Sequence, residues 1–330
     1  MESIITTDNL TKIYRGSIKA VDSLTVQIRK GEVYGILGPN GAGKTTFIGM
    51  LTTRVTPTSG RATVAGLDIV KESLKVRKRI GVVPQDLTTD EDLTGYENLK
   101  LVSRFYDIPT NEANRRIDQL LNMVQLQKHS HRRVKTYSGG MRKRLELIVG
   151  LVNDPDILFL DEPTLGLDVN TRMQMWEYIR DLRKRLDVTI ILTSHYLEEI
   201  DALADRVSIM DNGKILVTDT PLNLKNSMKE DYITITFASP DDLKIGEKFF
   251  SNNEKRFSGI NTLRIKVPNS DETMPDLINY FSSHSVKITR ITIQKPTLDE
   301  VFLEYTGRSL RDEEGGDARK SMFTIGRLRR

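Results

Sequence analysis

The sequence predicts an α/β fold organised on a parallel sheet, followed by a smaller α+β domain, within 330 residues. Three observations carry that reading. Strand-sized apolar runs alternate with helical periodicity between residues 157 and 210, the pattern of parallel strands joined by crossovers. A continuous strand at Gly31 to Leu37 runs straight into a glycine-rich turn. Beyond Pro221 to Ser227 a separate βα pattern begins, which marks a domain boundary.

The elements follow in order. Residues 3 to 7 and 21 to 28 alternate as strands do, so the opening is β-rich. From about Leu87 to Arg133 the period turns helical, with Leu99, Val102, Phe105 and Tyr106 on one face and Ile117, Leu120, Leu121 and Val124 on another. Strand and helix then alternate: Ile157 to Leu160, a helix from about Asn170 to Leu186, Val188 to Thr193, a short helix after His195, and Arg206 to Met210. Past the boundary, strands at Tyr232 to Phe237, Thr262 to Val267 and Val286 to Ile293, with a helix from about Glu272 to Ser283, predict a small α+β sandwich of ferredoxin-like type. The expected division is 1–220, 221–307 and a tail, 308–330, whose mixed charges and Gly-Gly pair read as disorder. The basic end of that tail would also suit contact with anionic lipid.

Composition narrows the function classes. No apolar run approaches the roughly 20 residues of a spanning helix, and the start, MESIITTDNLTKIY, has no signal-peptide pattern. With no cysteine there is neither disulfide nor thiolate metal site nor cysteine nucleophile, which fits a cytosolic chain. A net charge of +4 without a concentrated basic stripe gives no nucleic-acid footprint.

The chemistry lies in two short stretches. GPNGAGKTT, comprising Gly38, Pro39, Asn40, Gly41, Ala42, Gly43, Lys44, Thr45 and Thr46, follows a strand and precedes an apolar helix, the setting a phosphate-binding loop requires. Its backbone N–H groups converge on phosphates, Lys44 neutralises the terminal ones, and Thr45 offers a hydroxyl to Mg²⁺. ILFLDEP ends a strand with adjacent carboxylates. Asp161 suits Mg²⁺, directly or through water, and Glu162 suits a general base that polarises an attacking water. His195 ends the next strand, within reach of a γ-phosphate or that water. In YSGGMRKR, Ser138 reads as a helix cap and Gly139 and Gly140 let backbone N–H groups approach an anion.

Tyr14, the loop Gly38 to Thr46, Gln85 in VVPQD, YSGGM at 137 to 141, LFLDEP at 158 to 163, GLD at 166 to 168 and His195 occur in the order of the motifs of ATP-binding cassette (ABC) ATPases, which the chain resembles over about residues 3 to 220. The resemblance implies a P-loop NTPase cassette with a parallel core sheet, an N-terminal antiparallel β subdomain and a helical insert over about 87–150. It also implies roles: Tyr14 stacking on adenine, Gln85 reaching Mg²⁺ or water and linking the site to the helical insert, and Asp168 communicating across a dimer. It further implies that two copies pair head to tail, so that Ser138, Gly139 and Gly140 of one close over ATP held by the other. Tyr137, Met141 and Leu165 depart from the commonest residues of the family without removing a catalytic group. YSGGM with GLD, and PTLDEVFLEYTG at 296 to 307, resemble the ABC-2 and daunorubicin-resistance branch.

The implied function is a cytoplasmic ATPase subunit, peripheral on the inner face of the cell membrane, that uses ATP and Mg²⁺ to drive an exporter whose transmembrane permease is a separate chain. A soluble cassette ATPase acting on ribosomes or nucleic acid is the alternative. One cassette and no sustained heptads speak against it, so no nucleic-acid partner is expected.

Overall fold

The computed structural model describes residues 2–228, 231–250, 255–257 and 261–307. The chain divides into two compact units that meet in sequence at Pro221 and Leu222.

The first unit opens with β1 (Ser3–Tyr14) and β2 (Ile18–Arg29), an antiparallel pair considerably longer than the alternating pattern alone indicated. The reason is visible in the register. Irregularities between Thr7 and Leu10 and between Leu10 and Lys12 shift the side-chain alternation, so a period of two no longer identifies the second half of the ribbon. Next come β3 (Val33–Leu37), α1 (Lys44–Leu51), β4 (Ser59–Val64), β5 (Leu67–Asp68), α2 (Ser73–Arg79) and β6 (Ile80–Val83). The helical segment holds α3 (Gly95–Phe105), α4 (Thr110–Met123) and α5 (Gly139–Val149). The alternation then runs β7 (Ile157–Asp161), α6 (Val169–Leu186), β8 (Thr189–Ser194), α7 (Leu197–Leu203), β9 (Arg206–Asp211) and β10 (Lys214–Asp219).

Two sheets result. One has the order β2-β1-β4-β5 and is antiparallel. The other has the order β10-β9-β3-β8-β7-β6, parallel from β9 to β6, with β10 antiparallel at its edge. The residues of β3, β7 and β8 are all buried, which is why VYGIL, ILFLD and TIILTS read as unbroken runs rather than alternations. One core joins the sheets: Ile5, Leu10 and Ile28 meet Ile36, Phe159 and Ile191, with Phe47 and Met50 of α1 between them.

The helical segment is set by its caps. Thr94 and Glu97 form a capping box at the start of α3, and Ser138 and Asp168 cap α5 and α6. On α4 and just past it, Ile117, Leu120, Leu121 and Val124 are buried, as their spacing indicated. Phe105 is not part of the buried face of α3: it is 76% exposed, and the buried positions are Gly95, Asn98, Leu99 and Ser103. Asn98 takes a core position because its side chain bonds Asp90 and the Thr94 carbonyl, a polar fit that apolar periodicity does not register.

The second unit contains α8 (within Pro221–Ser227), β11 (Asp231–Phe237), α9 (Pro240–Phe249), β12 (Lys255–Phe257), β13 (Thr262–Val267), α10 (Ser270–Ser283), β14 (Ile288–Gln294) and α11 (Leu298–Thr306). From β11 to β14 the order β-α-β-β-α-β folds into an antiparallel sheet, β12-β13-β11-β14, the split βαβ arrangement. Its core sets Ile233, Ile235 and Phe237 against Leu277 and Phe281. The tail 308–330, read above as disordered, lies outside the described residues.

Gly81 fixes how α5 meets the parallel sheet, because a Cβ there would stand 1.8 Å from the carbonyl oxygen of Gly150, the C-cap of α5. Backbone cannot yield as a side chain does. Gly81→Ala is expected to lower unfolding stability by about 1–3 kcal/mol or more, measured by urea titration; an unchanged midpoint would show that β6 and α5 are not in contact there.

Candidate functional site

Register builds the site. Leu37, the last residue of β3, pairs with Ser194 at the end of β8, and Asp161, the last of β7, pairs with Thr193. Gly38, His195 and Glu162 are the next residues along, so three segments leave the sheet at one edge on neighbouring strands, about 4.8 Å apart.

From β3 the chain turns through Gly38 to Gly43 into α1. Gly43 is the N-cap with φ 103°, and a Cβ there would lie 2.1 Å from the Ala20 carbonyl, so only glycine fits. No side chain caps α1, which leaves its first-turn N–H groups for an anion. Lys44 is 6% exposed and its Nζ donates to the carbonyl oxygens of Gly38 and Pro39 at 2.6 and 3.1 Å. A cation is thus held inside the loop, next to those N–H groups. Asn40, Gly41 and Thr45 are exposed, Ala42 is buried, and Gly43 and Thr46 are half-buried.

At the end of β7 the two carboxylates diverge. Asp161 is buried and its Oδ1 accepts from the Thr193 hydroxyl at 2.5 Å. Glu162 adopts φ 51°, the left-handed region that side chains avoid, and its N–H donates to the Thr193 carbonyl at 3.1 Å. That turn sends its carboxylate to His195, where Oε2 lies 3.2 Å from Nδ1. The hydrogen bond from His195 holds the Glu162 carboxyl below its ordinary range, outweighing the effect of burial, with smaller contributions from Lys44 and Lys143. Glu162 is therefore ionised at neutral pH.

Among the described residues no group of three or more His, Asp or Glu forms a metal cage. The buried Asp161 carboxylate with the exposed Thr45 hydroxyl is a sparse donor set of the kind Mg²⁺ takes when phosphates and water complete its shell.

The remaining positions fall in two places. Tyr14 is 42% exposed at the end of β1 and pairs with Ile18, two residues before the Ala20 carbonyl that abuts Gly43. Gln85 is exposed just past β6, and its carbonyl accepts from Lys143 Nζ at 2.9 Å. Ser138, Gly139, Gly140 and Asp168, by contrast, line a cavity of about 290 Å³ together with Gly166 and Thr171. None of the phosphate loop, Asp161, Glu162 or His195 lines it. Ser138 Oγ caps α5 by accepting from the Met141 N–H at 3.3 Å, and Asp168 caps α6 through the Thr171 N–H and hydroxyl at 3.0 and 2.6 Å.

Sequence reasoning missed several residues at this edge. Thr193, which bonds Asp161 and the Glu162 N–H, was hidden in an apolar strand. Lys143 stood in a basic run that reads as a solvated face. Glu199 is fully buried on α7: Trp176 Nε1 donates to its Oε1 at 3.1 Å, while Oε2 has no hydrogen-bond partner among the described residues. Burial raises its pKa, partly offset by neighbouring donors and by Arg172.

Comparison with known proteins bears on this geometry. Residues 21–165 match the ABC transporter family, and residues 220–306 match the C-terminal domain of DrrA1-3-like ATP-binding proteins. The chain is 36% identical over 319 residues to the daunorubicin resistance ATP-binding protein DrrA3 of Streptomyces coeruleorubidus, covering 95% of this chain and 99% of that one. It belongs to the ABC transporter ATP-binding family. Two solved structures share the fold. CbiO1 of Clostridium perfringens, part of the ABC transporter complex CbiONQ, aligns with a TM-score of 0.64 and 27% identity over 68% of this chain and 91% of that one. A dimeric ATP-binding cassette in a post-hydrolysis state, bound to ADP and Pi, aligns with a TM-score of 0.59 and 24% identity over 66% and 98%. This ABC protein is accordingly an ATPase, the nucleotide-binding subunit of an ATP-powered exporter.

The buried Glu199 gives a pH signature. Its folded pKa is raised above the ordinary 4.5, so the folded state favours the protonated form. Stability from this group is fullest below 4.5 and falls as pH rises through the folded value. Glu199→Gln, which cannot ionise, is expected to gain on wild type in Tm between pH 4.5 and pH 8 by about 2–4 °C. A difference that stays constant across that range would mean that the carboxyl ionises as freely folded as unfolded.

Proposed function

We propose that this chain works as a head-to-tail homodimer on the inner face of the cell membrane, where two composite ATP sites drive a separate ABC-2 type permease. One observation carries the proposal: the cavity lined by Ser138, Gly139, Gly140 and Asp168 contains none of the phosphate-loop or strand-edge groups. A capped helix N-terminus with open glycine backbone, lining a cavity that the phosphate loop does not reach, is half of a site. A second copy turned end to end supplies the other half.

In that arrangement the loop Gly38–Thr46 holds the phosphates through backbone N–H groups, and Lys44 turns from its own loop carbonyls to the terminal phosphate. Tyr14 stacks on adenine. Thr45, Asp161 and Gln85 would hold Mg²⁺, which when bound neutralises charge on the phosphates. Glu162, ionised at neutral pH, accepts a proton from the attacking water as it adds in line to the γ-phosphate. His195, bonded to Glu162, orients that carboxylate beside the phosphate loop. The partner's first turn of α5, entered through its own Ser138, completes the neutralisation of the γ-phosphate. Asp168 carries contact across the dimer from the start of α6.

Export is supported by the relatives, one of which is a daunorubicin resistance ATP-binding protein and another part of an ABC transporter complex. No helix of the described residues is long and apolar enough to cross a membrane. These relatives do not favour the ribosome- or nucleic-acid-directed alternative.

Three experiments test the reading. Glu162→Gln is expected to bind ATP but turn over about 10² to 10⁴ times more slowly, and to accumulate as an ATP-bound dimer by light scattering. Ser138→Arg should bind ATP as a monomer and form no dimer; loss of nucleotide binding by the monomer would place Ser138 in the site of its own chain. Affinity purification of the tagged chain from solubilised native membranes should recover an integral membrane protein in fixed stoichiometry. Recovery with ribosomes and without a membrane protein would refute the exporter reading.

A further inference from the structure

Glu146 is a charged residue where α5 is otherwise buried, flanked by Leu145, Leu147 and Ile148. It is 2% exposed and its carboxylate is fully engaged. Oε1 accepts from the N–H groups of Thr88 and Thr89 at 2.6 and 2.7 Å, and Oε2 accepts from the Thr88 hydroxyl at 2.8 Å. One turn earlier on the same helix, Lys143 Nζ donates to the Gln85 carbonyl at 2.9 Å. Two charged groups on one face of α5 therefore grip one segment, residues 85 to 89, at both ends.

That segment departs from β6, and α5 is seated on β6 as well, where the Gly81 backbone touches the Gly150 carbonyl. Ser138, at the other end of α5, lies about 12 Å from Glu146 along the helix axis. A short regular helix transmits displacement along its axis with little bending. Whatever engages the Ser138 end moves the grip on Gln85. Charge-assisted bonds from a carboxylate to backbone N–H groups are short and strong, so the grip is stiff.

We propose that Glu146, assisted by Lys143, is a positioning residue: it fixes the Gln85 segment to the helix that begins at Ser138, so that closure of α5 over ATP on the partner copy sets Gln85 in the chain's own site. This rests on the reading that Gln85 serves the reacting phosphate and that Ser138 acts in trans. The two sites of the dimer are thereby coupled through a helix rather than through the nucleotide.

A double-mutant cycle tests it, with kcat and KM of the purified full chain measured for Gln85→Ala, Glu146→Gln and Thr88→Val, singly and with Gln85→Ala. Thr88→Val removes one hydroxyl and leaves both backbone donors to Glu146, so it carries the test if Glu146→Gln does not fold. Each of these two single substitutions is expected to lower kcat about fivefold to tenfold, the rate equivalent of a hydrogen bond or two, with KM within about twofold. In the Gln85→Ala background neither should lower kcat further by more than about twofold. The same loss appearing in that background would show that Glu146 acts elsewhere and would overturn the proposal, as would undiminished kcat in both singles. If Gln85→Ala alone leaves kcat intact, the assigned role of Gln85 fails and the proposal with it, an outcome read separately from the other two.

Discussion

Parallel hydrogen bonding of β3, β8 and β7 in one register is the constraint on which the site depends. Three segments far apart in sequence bring a phosphate loop, a carboxylate pair and a histidine to one edge only because Leu37 and Ser194 finish their strands side by side and Asp161 finishes one residue short of them, opposite Thr193. A slip of one residue would exchange the faces of every side chain in a strand. These strands are buried on both faces, so polarity alone does not fix their register; a slip would instead part Asp161 from the Thr193 hydroxyl whose hydrogen bond it accepts. The apolar core and the chemistry are in this sense one arrangement.

Local backbone then aims the groups. Asp161 remains within strand geometry and points to Thr193, whereas Glu162 turns through a left-handed conformation toward His195. Adjacent carboxylates so acquire different partners. Gly43 plays a comparable part at the phosphate loop, where both its φ and the nearby Ala20 carbonyl exclude any side chain. At the far end of the cassette the glycines after Ser138 serve another need. Gly139 faces open space, while Gly140 packs against Thr171, so a Cβ there would lie 2.6 Å from its methyl carbon. That contact ties the start of α5 to the start of α6.

Much of this was legible in the sequence, for physical reasons that differ from place to place. A phosphate loop needs specific glycines and a lysine at fixed spacing between a strand and a helix, so Gly38 to Thr46 announced itself. Fully buried strands were readable as continuous runs. What escaped notice had polar groups satisfied inside the fold. Asn98 occupies a core position of α3 while Phe105 does not, Thr193 is polar in a strand that otherwise reads as apolar, and Glu146 and Glu199 are carboxylates with buried functions. Hydrogen-bond partners distant in sequence decide each of these, and neither period nor propensity encodes such partners. The register irregularities of β1 likewise erased the alternation that would have revealed its length.

Head-to-tail pairing is tested most directly by mixing two broken chains. Lys44→Ala retains an intact Ser138 helix and loses its phosphate loop; Ser138→Arg retains the loop and loses the helix cap. Each alone should hydrolyse ATP at background rate. If composite sites form across the dimer, a mixed dimer holds one site with both halves intact, and equimolar mixing restores turnover well above either parent. If each chain carries a complete site of its own, every site in the mixture remains broken, and the absence of any gain on mixing would contradict the account.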